Sequence, residues 1–142
     1  RVVLVGPAPP ETAAALTRLV ASRPNLHWMG PRPYAEVPGL VRAFRVGLIP
    51  FRRTPLTEAV NPVKLYEYAA AGVPTVTTRF SDEVDTWSDA ARVADGMEAF
   101  VTACREATAA TPDVERLRAF ARRHDWGAIA ARFVAACLEE AA

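Results

Sequence analysis

The 142-residue sequence has few of the residues that mark a nucleic-acid-binding surface or a metal centre. It has one lysine, two cysteines and two histidines, and its longest apolar runs fall far short of the roughly 20 residues of a membrane-spanning helix. The 17 basic and 16 acidic residues give a net charge of +1, so no basic excess could neutralise a run of nucleic-acid phosphates. Because the histidines and cysteines are scattered, a metal site has little support. We therefore expect no nucleic-acid partner, no transmembrane segment and no bound metal.

The few cysteines and tryptophans are expected to serve packing. Cys104 and Cys137 lie in segments with helical patterning, which favours two reduced core residues, with a disulfide as the alternative. Trp28, Trp87 and Trp126 are likewise expected to pack. No signal peptide is visible, and we expect a cytoplasmic protein. The chain starts without Met and enters an apolar strand at once, which suggests a fragment of a longer polypeptide whose residues 1–142 form one domain.

Short apolar runs alternate with longer amphipathic segments along the chain. The predicted strands are residues 2–5, 26–29, 46–49, 75–77 and 91–94, and the predicted helices are residues 12–22, 37–44, 62–71, 97–108, 113–122 and 126–140. This alternation is typical of parallel strands joined by crossover helices. We predict an α/β fold with an open Rossmann-like parallel sheet of about four or five strands and helices on both faces. Ligands bind at the carboxyl ends of such strands, which directs attention to loops 6–10, 30–34 and 50–61.

The predicted helix after the third loop is marked at both ends. Asn61 is a strong N-cap residue, and Pro62 suits the first helical position. Gly72 suits a left-handed C-terminal residue, and Pro74 prevents continuation. The start of this helix is expected to direct free N–H groups, and the positive end of the helix dipole, into the crevice.

Lys64 and Glu67 are the two charged residues of this helix. A cation in the first turn gains nothing from the helix dipole, so Lys64 makes sense if it faces an anion such as a phosphate. Glu67 lies one turn further on the same face, where its carboxylate could accept hydrogen bonds from two ribose hydroxyls. The alternative is an exposed Lys64–Glu67 ion pair of small energy, and the spacing alone does not decide between them.

Residues 62–74 resemble the P-x-K-x-x-E-x-x-A-x-G-x-P signature of the donor-binding half of GT-B glycosyltransferases, in the retaining group that uses nucleotide sugars. Residues 25–30, followed by Pro33-Tyr34, are similar to the N-V-x-x-x-G-x-x-P-Y strand and loop of that family. Residues 46–51 resemble its next strand, so the resemblance covers nearly the whole chain. It implies the C-terminal half of a glycosyl transferases group 1 enzyme, a hexosyltransferase, with the N-terminal acceptor half absent from this sequence.

The resemblance also implies residue roles. Glu67 matches the acid that binds the nucleotide ribose, and the helix start corresponds to the diphosphate contacts; its residues are Asn61, Pro62, Val63, Lys64 and Leu65. The loop of Gly30, Arg32 and Pro33 corresponds to the segment that meets the base, and Phe51 walls the same pocket. The implied ligand is a nucleoside-diphosphate sugar, for which we expect a UDP-sugar, with no further cofactor. The isolated chain is expected to be inactive.

The sequence departs from the family pattern at Ala59, where the acid that faces the donor sugar would stand. The sugar contact is therefore unassigned, with Glu58, Asn61 and Lys64 as candidates, and the catalytic residues are unknown. Arg52-Arg53 either form a solvated pair, the preferred interpretation, or take up phosphate charge. The acidic residues Asp82, Glu83, Asp85 and Asp89 are expected to face solvent. A non-catalytic interaction module of receiver or flavodoxin type is the alternative function.

Overall fold

The computed structural model describes residues 1–139, which form five strands, seven α-helices and two 3-10 segments. The strands are β1 (Val2–Leu4), β2 (Leu26–Trp28), β3 (Gly47–Ile49), β4 (Thr75–Thr78) and β5 (Ala91–Ala94). The helices are α1 (Pro10–Ala21), α2 (Val37–Arg42), α3 (Pro55–Glu58), α4 (Val63–Ala71), α5 (Gly96–Ala109), α6 (Val114–Arg123) and α7 (Trp126–Glu139). The 3-10 segments are Tyr34–Glu36 and Asp82–Trp87. The predicted end of the last helix, Glu140, lies outside the described residues.

All strand pairings within the described residues are parallel. β1 pairs with β2, and β3, β4 and β5 form a three-stranded sheet in that order, with Gly47 opposite Thr75 and Thr75 opposite Ala91. The predicted α/β fold is confirmed, with the five strands divided between a two-stranded and a three-stranded parallel sheet. The chain forms two compact units, residues 1–38 and the described remainder from residue 39 onward.

The first unit contains β1, α1 and β2. The loops after its two strands are joined, because the Gly6 N–H donates to the Gly30 carbonyl at 2.9 Å and Trp28 Nε1 donates to the Gly6 carbonyl at 2.9 Å. Gly30 has a φ of 66°, in the left-handed region that favours glycine. Trp28 is thus a packing and hydrogen-bonding residue of this unit.

The core of the second unit lies between β4, helices α4 and α6, and the segment that follows β4. Its fully buried side chains include Leu65 and Ala69 of α4, Val76 of β4, and Phe80 and Val84 after β4. α6 contributes two nearly buried residues, Leu117 and Phe120. The burial of apolar side chains from both helices and from β4 fixes α4 on the sheet, and α4 carries the predicted site residues.

Two packing predictions for the C-terminal helix are wrong. Trp126 is 85% exposed and Cys137 is exposed, whereas Trp87 is buried as expected and Cys104 on α5 is partly buried. Both cysteines are free. Periodicity identifies the apolar side of a helix such as α7 but not whether another element covers it, which is why the sequence overestimated burial there.

Candidate functional site

α4 is held on the sheet by the face opposite its charged residues. Leu65 and Ala69 are fully buried, and the ring of Tyr68 packs on Gly47 of β3 so closely that a Cβ at Gly47 would lie 2.3 Å from Tyr68 Cδ2. Gly72 ends the helix with a φ of 76°, as predicted. Lys64 and Glu67 consequently point away from the core.

The start of α4 differs from the prediction by one residue. Pro62 is the N-cap and Val63 the first helical residue, and no side chain caps the helix. Asn61 lies one residue before the cap, and its Nδ2 donates to Glu83 Oε1 at 3.3 Å. The Leu65 N–H donates to the Pro62 carbonyl at 3.0 Å. Among residues 1–139 the N–H groups of Val63 and Lys64 have no such acceptor, so these two amides are the ones available to an anion.

Lys64 and Glu67 form an ion pair on the outward face of α4. Lys64 Nζ lies 2.5 Å from Glu67 Oε2, and 54% of the lysine side chain and 26% of the glutamate side chain are exposed. An exposed pair of this kind contributes little to stability, at most about 1 kcal/mol. Both interpretations offered by the sequence are compatible with this geometry: the pair is present, and Glu67 is accessible rather than enclosed in the core.

Tyr68 lies beside this pair and is mostly buried. Burial raises the pKa of the Tyr68 phenol above its ordinary value; the Glu67 carboxylate raises it further and the Lys64 ammonium opposes the shift. The phenol therefore stays protonated at neutral pH, and its part is to pack α4 on β3 rather than to accept a proton.

The loop between β3 and α4 is shaped by Thr54, Thr57 and Arg53. Thr54 and Thr57 form reciprocal side-chain to backbone hydrogen bonds that start α3, a short helix that periodicity did not predict. Arg53 Nε donates to Glu58 Oε1 at 2.6 Å, and its Nη2 donates to Asp82 Oδ1 at 3.1 Å. Glu58, a candidate sugar contact, is thus held by Arg53, and these two acids raise the pKa of Arg53 above its ordinary value.

The acids after β4 face solvent, as predicted, with Asp82, Glu83 and Asp85 exposed and Asp89 about half exposed, and each of them also has a side-chain partner. Asp82 and Glu83 begin the 3-10 segment Asp82–Trp87 and contact the β3–α4 loop through Arg53 and Asn61. Arg79, at the carboxyl end of β4, contacts both carboxylate oxygens of Asp85 and donates to Asp95 Oδ1 at 2.8 Å. The register of parallel strands brings these loops to one edge, which the sequence pattern alone did not reveal.

Phe51 lies at the same edge, directly after β3. Its ring meets the buried Phe80 ring edge-on at a centroid distance of 5.1 Å, and its carbonyl accepts a hydrogen bond from Thr78 Oγ1. The ring of Phe51 remains partly exposed. Its backbone is thus fixed to β4, and its role as a wall of the nucleotide pocket stays a prediction.

The predicted base-contacting loop lies in the first unit. Gly30 is partly buried, and Arg32 and Pro33 are exposed. Pro33 caps the 3-10 segment Tyr34–Glu36 through a hydrogen bond from the Glu36 N–H to its carbonyl at 2.9 Å. The roles assigned to these three residues stay predictions.

No group of three or more His, Cys, Asp or Glu side chains within residues 1–139 could hold a metal ion. In the same residues, no helix is long and apolar enough to cross a bilayer.

Comparisons with known proteins agree with this architecture. The family model described as glycosyl transferases group 1 matches residues 1–110. A segment of 55 residues, 39% of the chain, is 42% identical to "Putative teichuronic acid biosynthesis glycosyltransferase TuaH" of Bacillus subtilis (strain 168) and covers 14% of that protein.

Two crystal structures are similar to the chain. AviGT4, a glycosyltransferase involved in avilamycin A biosynthesis, superposes with a TM-score of 0.74 at 24% identity over 94% of this chain and 41% of its own. WaaG, a glycosyltransferase involved in lipopolysaccharide biosynthesis, superposes with a TM-score of 0.65 at 26% identity over 87% of this chain and 34% of its own. The chain thus spans less than half the length of each of these three proteins.

The receiver- or flavodoxin-like alternative is not supported by these comparisons. The family match covers most of the chain, and the parallel strands, the helices and the Lys64–Glu67 helix all agree with it. The chain belongs to the glycosyl transferases group 1 family and is a GT-B glycosyltransferase domain.

Proposed function

We propose that this chain is the C-terminal, donor-binding domain of a retaining GT-B hexosyltransferase and that it binds a nucleoside-diphosphate sugar, with UDP-sugar as the expected donor. An N-terminal half outside this sequence would hold the acceptor, so the isolated chain would bind the donor weakly and would not turn over. The proposed location is the cytoplasm. No metal ion or further cofactor is part of this proposal.

The observation that carries the proposal is the geometry at the start of α4. The N–H groups of Val63 and Lys64, which have no acceptor within residues 1–139, precede an accessible carboxylate one turn further along the helix, that of Glu67. Backbone amides at the positive end of a helix favour a phosphate, and an ionised carboxylate accepts hydrogen bonds from hydroxyls. In a nucleoside diphosphate the phosphates are followed by the ribose. Its phosphate oxygens and ribose hydroxyls therefore occur in the same order as the two amides and the carboxylate along α4.

In the proposed reaction these residues bind and orient rather than form covalent bonds. The amides of Val63 and Lys64 and the Lys64 ammonium would stabilise the charge that develops on the departing diphosphate. Glu67 would hold the ribose and thereby fix the position of the sugar for attack by the acceptor. On contact with a diphosphate, Lys64 would exchange part of its interaction with Glu67 for the phosphate oxygens.

The contact to the transferred sugar is proposed among Glu58, Asn61 and Lys64. Glu58 and Asn61 are exposed but both have protein partners, Arg53 and Glu83 respectively. Lys64 is the least constrained of the three, because its partner Glu67 lies on the same helix. The base would meet the loop of Gly30, Arg32 and Pro33.

The proposal is tested by calorimetric titration of the full-length protein that carries this chain with UDP, GDP and ADP. Replacement Glu67→Ala removes hydrogen bonds to a charged group, and we expect it to weaken binding of the preferred nucleotide by about tenfold or more. Titration with the matching nucleoside monophosphate shows how much the second phosphate contributes to the binding affinity.

Glu98→Ala is the matched control, because Glu98 is an exposed glutamate in the first turn of another helix, α5. It should leave nucleotide affinity unchanged. Absence of binding by all three nucleoside diphosphates at millimolar concentration, or an equal loss in both variants, would contradict the proposal.

A further inference from the structure

Arg53 is a cation at the carboxyl edge of the three-stranded sheet, and its side chain donates hydrogen bonds to two acids. Its guanidinium lies between Glu58, 2.6 Å from Nε, and Asp82, 3.1 Å from Nη2. Glu58 belongs to the same loop, whereas Asp82 comes from the segment after β4, 29 residues along the chain. Arg53 is exposed, as the sequence favoured, but it is also paired with two acids.

The two contacts of Arg53 differ in how firmly they are held. Glu58 lies at the end of α3, its side chain is 42% exposed, and its contact to Arg53 is the shorter one. Asp82 has a side chain that is 90% exposed and a longer contact to Arg53. A carboxylate so open to water loses little when it turns into solvent, so the Asp82 contact is the one that can be exchanged.

Arg53 also lies close to the start of α4. Its partner Asp82 is followed directly by Glu83, whose carboxylate accepts from Asn61, two residues before the first residue of α4. The Cα atoms of Asp82 and Glu83 are separated by one peptide unit, about 3.8 Å. Arg53 and Asn61 thus contact adjacent residues of the same 3-10 segment, and both belong to the loop that leads from β3 into α4.

We propose that Arg53 is a second cation of the donor site and that it exchanges Asp82 for a phosphate oxygen of the nucleoside diphosphate. Guanidinium groups bind phosphate and carboxylate with the same planar pairs of N–H groups, so the exchange preserves the geometry of the contact. Glu58 keeps Arg53 Nε in place during the exchange. Asp82 is then a competitor of the ligand, and this inference rests on the proposed function.

Removal of the Asp82 carboxylate should strengthen ligand binding, because it frees Arg53 for the phosphate. Asp82→Asn should tighten binding of the preferred nucleoside diphosphate by about two- to fivefold, the strength of an exposed ion pair. Arg53→Gln should weaken it by about tenfold. Binding of the nucleoside of the same base, which lacks phosphates, should not change in Asp82→Asn.

The double variant separates this exchange from a general change in charge. In an Arg53→Gln background, Asp82→Asn should no longer tighten binding, since Asp82 acts only through Arg53. Glu106→Gln is the matched control, because it removes an acid from the Arg92–Glu106 pair at 2.8 Å elsewhere on the surface and should not alter affinity.

The outcomes also distinguish this inference from the proposed function. If the full-length wild-type protein binds a nucleoside diphosphate in a Glu67-dependent way but Asp82→Asn leaves affinity unchanged or weakens it, only the Arg53 exchange is overturned. It is also overturned if Asp82→Asn tightens binding equally in both backgrounds. If the wild-type protein binds no nucleoside diphosphate, the proposed function itself is overturned.

Discussion

Each end of the three-stranded sheet carries a network of three charged side chains, and the signs of the charges are reversed between the two ends. At the amino end, Asp89 lies between two arginines of α6, 3.0 Å from Arg116 Nη2 and 2.7 Å from Arg123 Nη2. At the carboxyl end, Arg53 lies between two acids, Glu58 and Asp82. An acid is shared by two cations at one end, and a cation is shared by two acids at the other.

The two arrangements differ in what they join. The arginines beside Asp89 belong to α6, which the nearly buried Leu117 and Phe120 hold in the core. The acids beside Arg53 belong to a short helix after a loop and to a 3-10 segment that is anchored by Val84 and Trp87 but leaves the Asp82 side chain 90% exposed. An ion-pair network on a well-packed helix contributes to the fold, whereas a contact to a side chain that is open to water can rearrange. We therefore expect changes at the amino end to alter stability and changes at the carboxyl end to alter ligand binding.

The largest effect on stability is expected from Gly47→Ala, at the amino end of β3. The added Cβ would lie 2.3 Å from Tyr68 Cδ2, so α4 and β3 must move apart. Overpacking of this kind costs about 1–3 kcal/mol of unfolding free energy. Urea denaturation measures it.

Gly39→Ala provides the control for that substitution, since a Cβ at Gly39 meets no atom within 4 Å. In α2 it should leave stability unchanged or raise it by up to about 1 kcal/mol. Equal destabilisation by both substitutions would show that the contact between Tyr68 and Gly47 is not tight.

A smaller effect is expected from Asp89→Asn. The Asp89 side chain and both arginines are about half exposed, so the loss of unfolding free energy should be at most about 1 kcal/mol. Nucleotide affinity should not change, because the site proposed here lies at the other end of the sheet. If Asp89→Asn weakens nucleotide binding as strongly as Glu67→Ala does, the expected division between a stabilising amino end and a ligand-binding carboxyl end is contradicted.

The smallest effect concerns acid stability at the carboxyl end. The hydrogen bond from Arg79 holds the pKa of Asp85 below its ordinary value of 3.8. A lowered folded-state pKa stabilises the protein above the unfolded-state value, and that contribution is lost as the pH falls through the folded-state pKa. The stability difference between wild type and Asp85→Asn should therefore be constant near pH 7 and shrink below about pH 4.

Denaturant midpoints recorded between pH 7 and pH 3 measure this difference. In an Arg79→Gln background the pH-dependent part of the difference should disappear, because the partner that lowers the Asp85 pKa has been removed. A difference that stays the same across this range would rule out the assigned cause.

The two ends of α4 illustrate how far the sequence predicts local structure. Its C-terminus was predicted at the correct residue, because Gly72 and Pro74 act through their own backbone conformations. Its N-terminus was not, because in the described residues no N–H of α4 donates to the Asn61 side chain, whose amide group instead donates to Glu83, 22 residues away. A capping preference is local, and a distant partner can orient the same side chain differently.

The residues of the candidate site show the same difference between contacts within a helix, which the sequence predicts, and contacts to distant residues, which it does not. Lys64 and Glu67 were paired from their spacing, since residues three apart share a helix face. Arg53 and Asp82 were each interpreted as facing solvent and are exposed, but the contact between them was not predicted, because they are 29 residues apart in the chain. The cluster of acids after β4 was the sequence feature that could have indicated a cationic partner such as Arg53 in the β3–α4 loop.

The sequence by itself determined the alternation of strands and helices, the end of α4, and the family signature from Pro62 to Pro74, because these depend on residues close together in the chain. The tertiary structure alone decided the partners of Arg53, Asn61 and Arg79, and which apolar helix faces are covered. The parallel pairing of β3, β4 and β5 brings their following loops to one edge, and distant residues meet there according to strand order rather than sequence spacing.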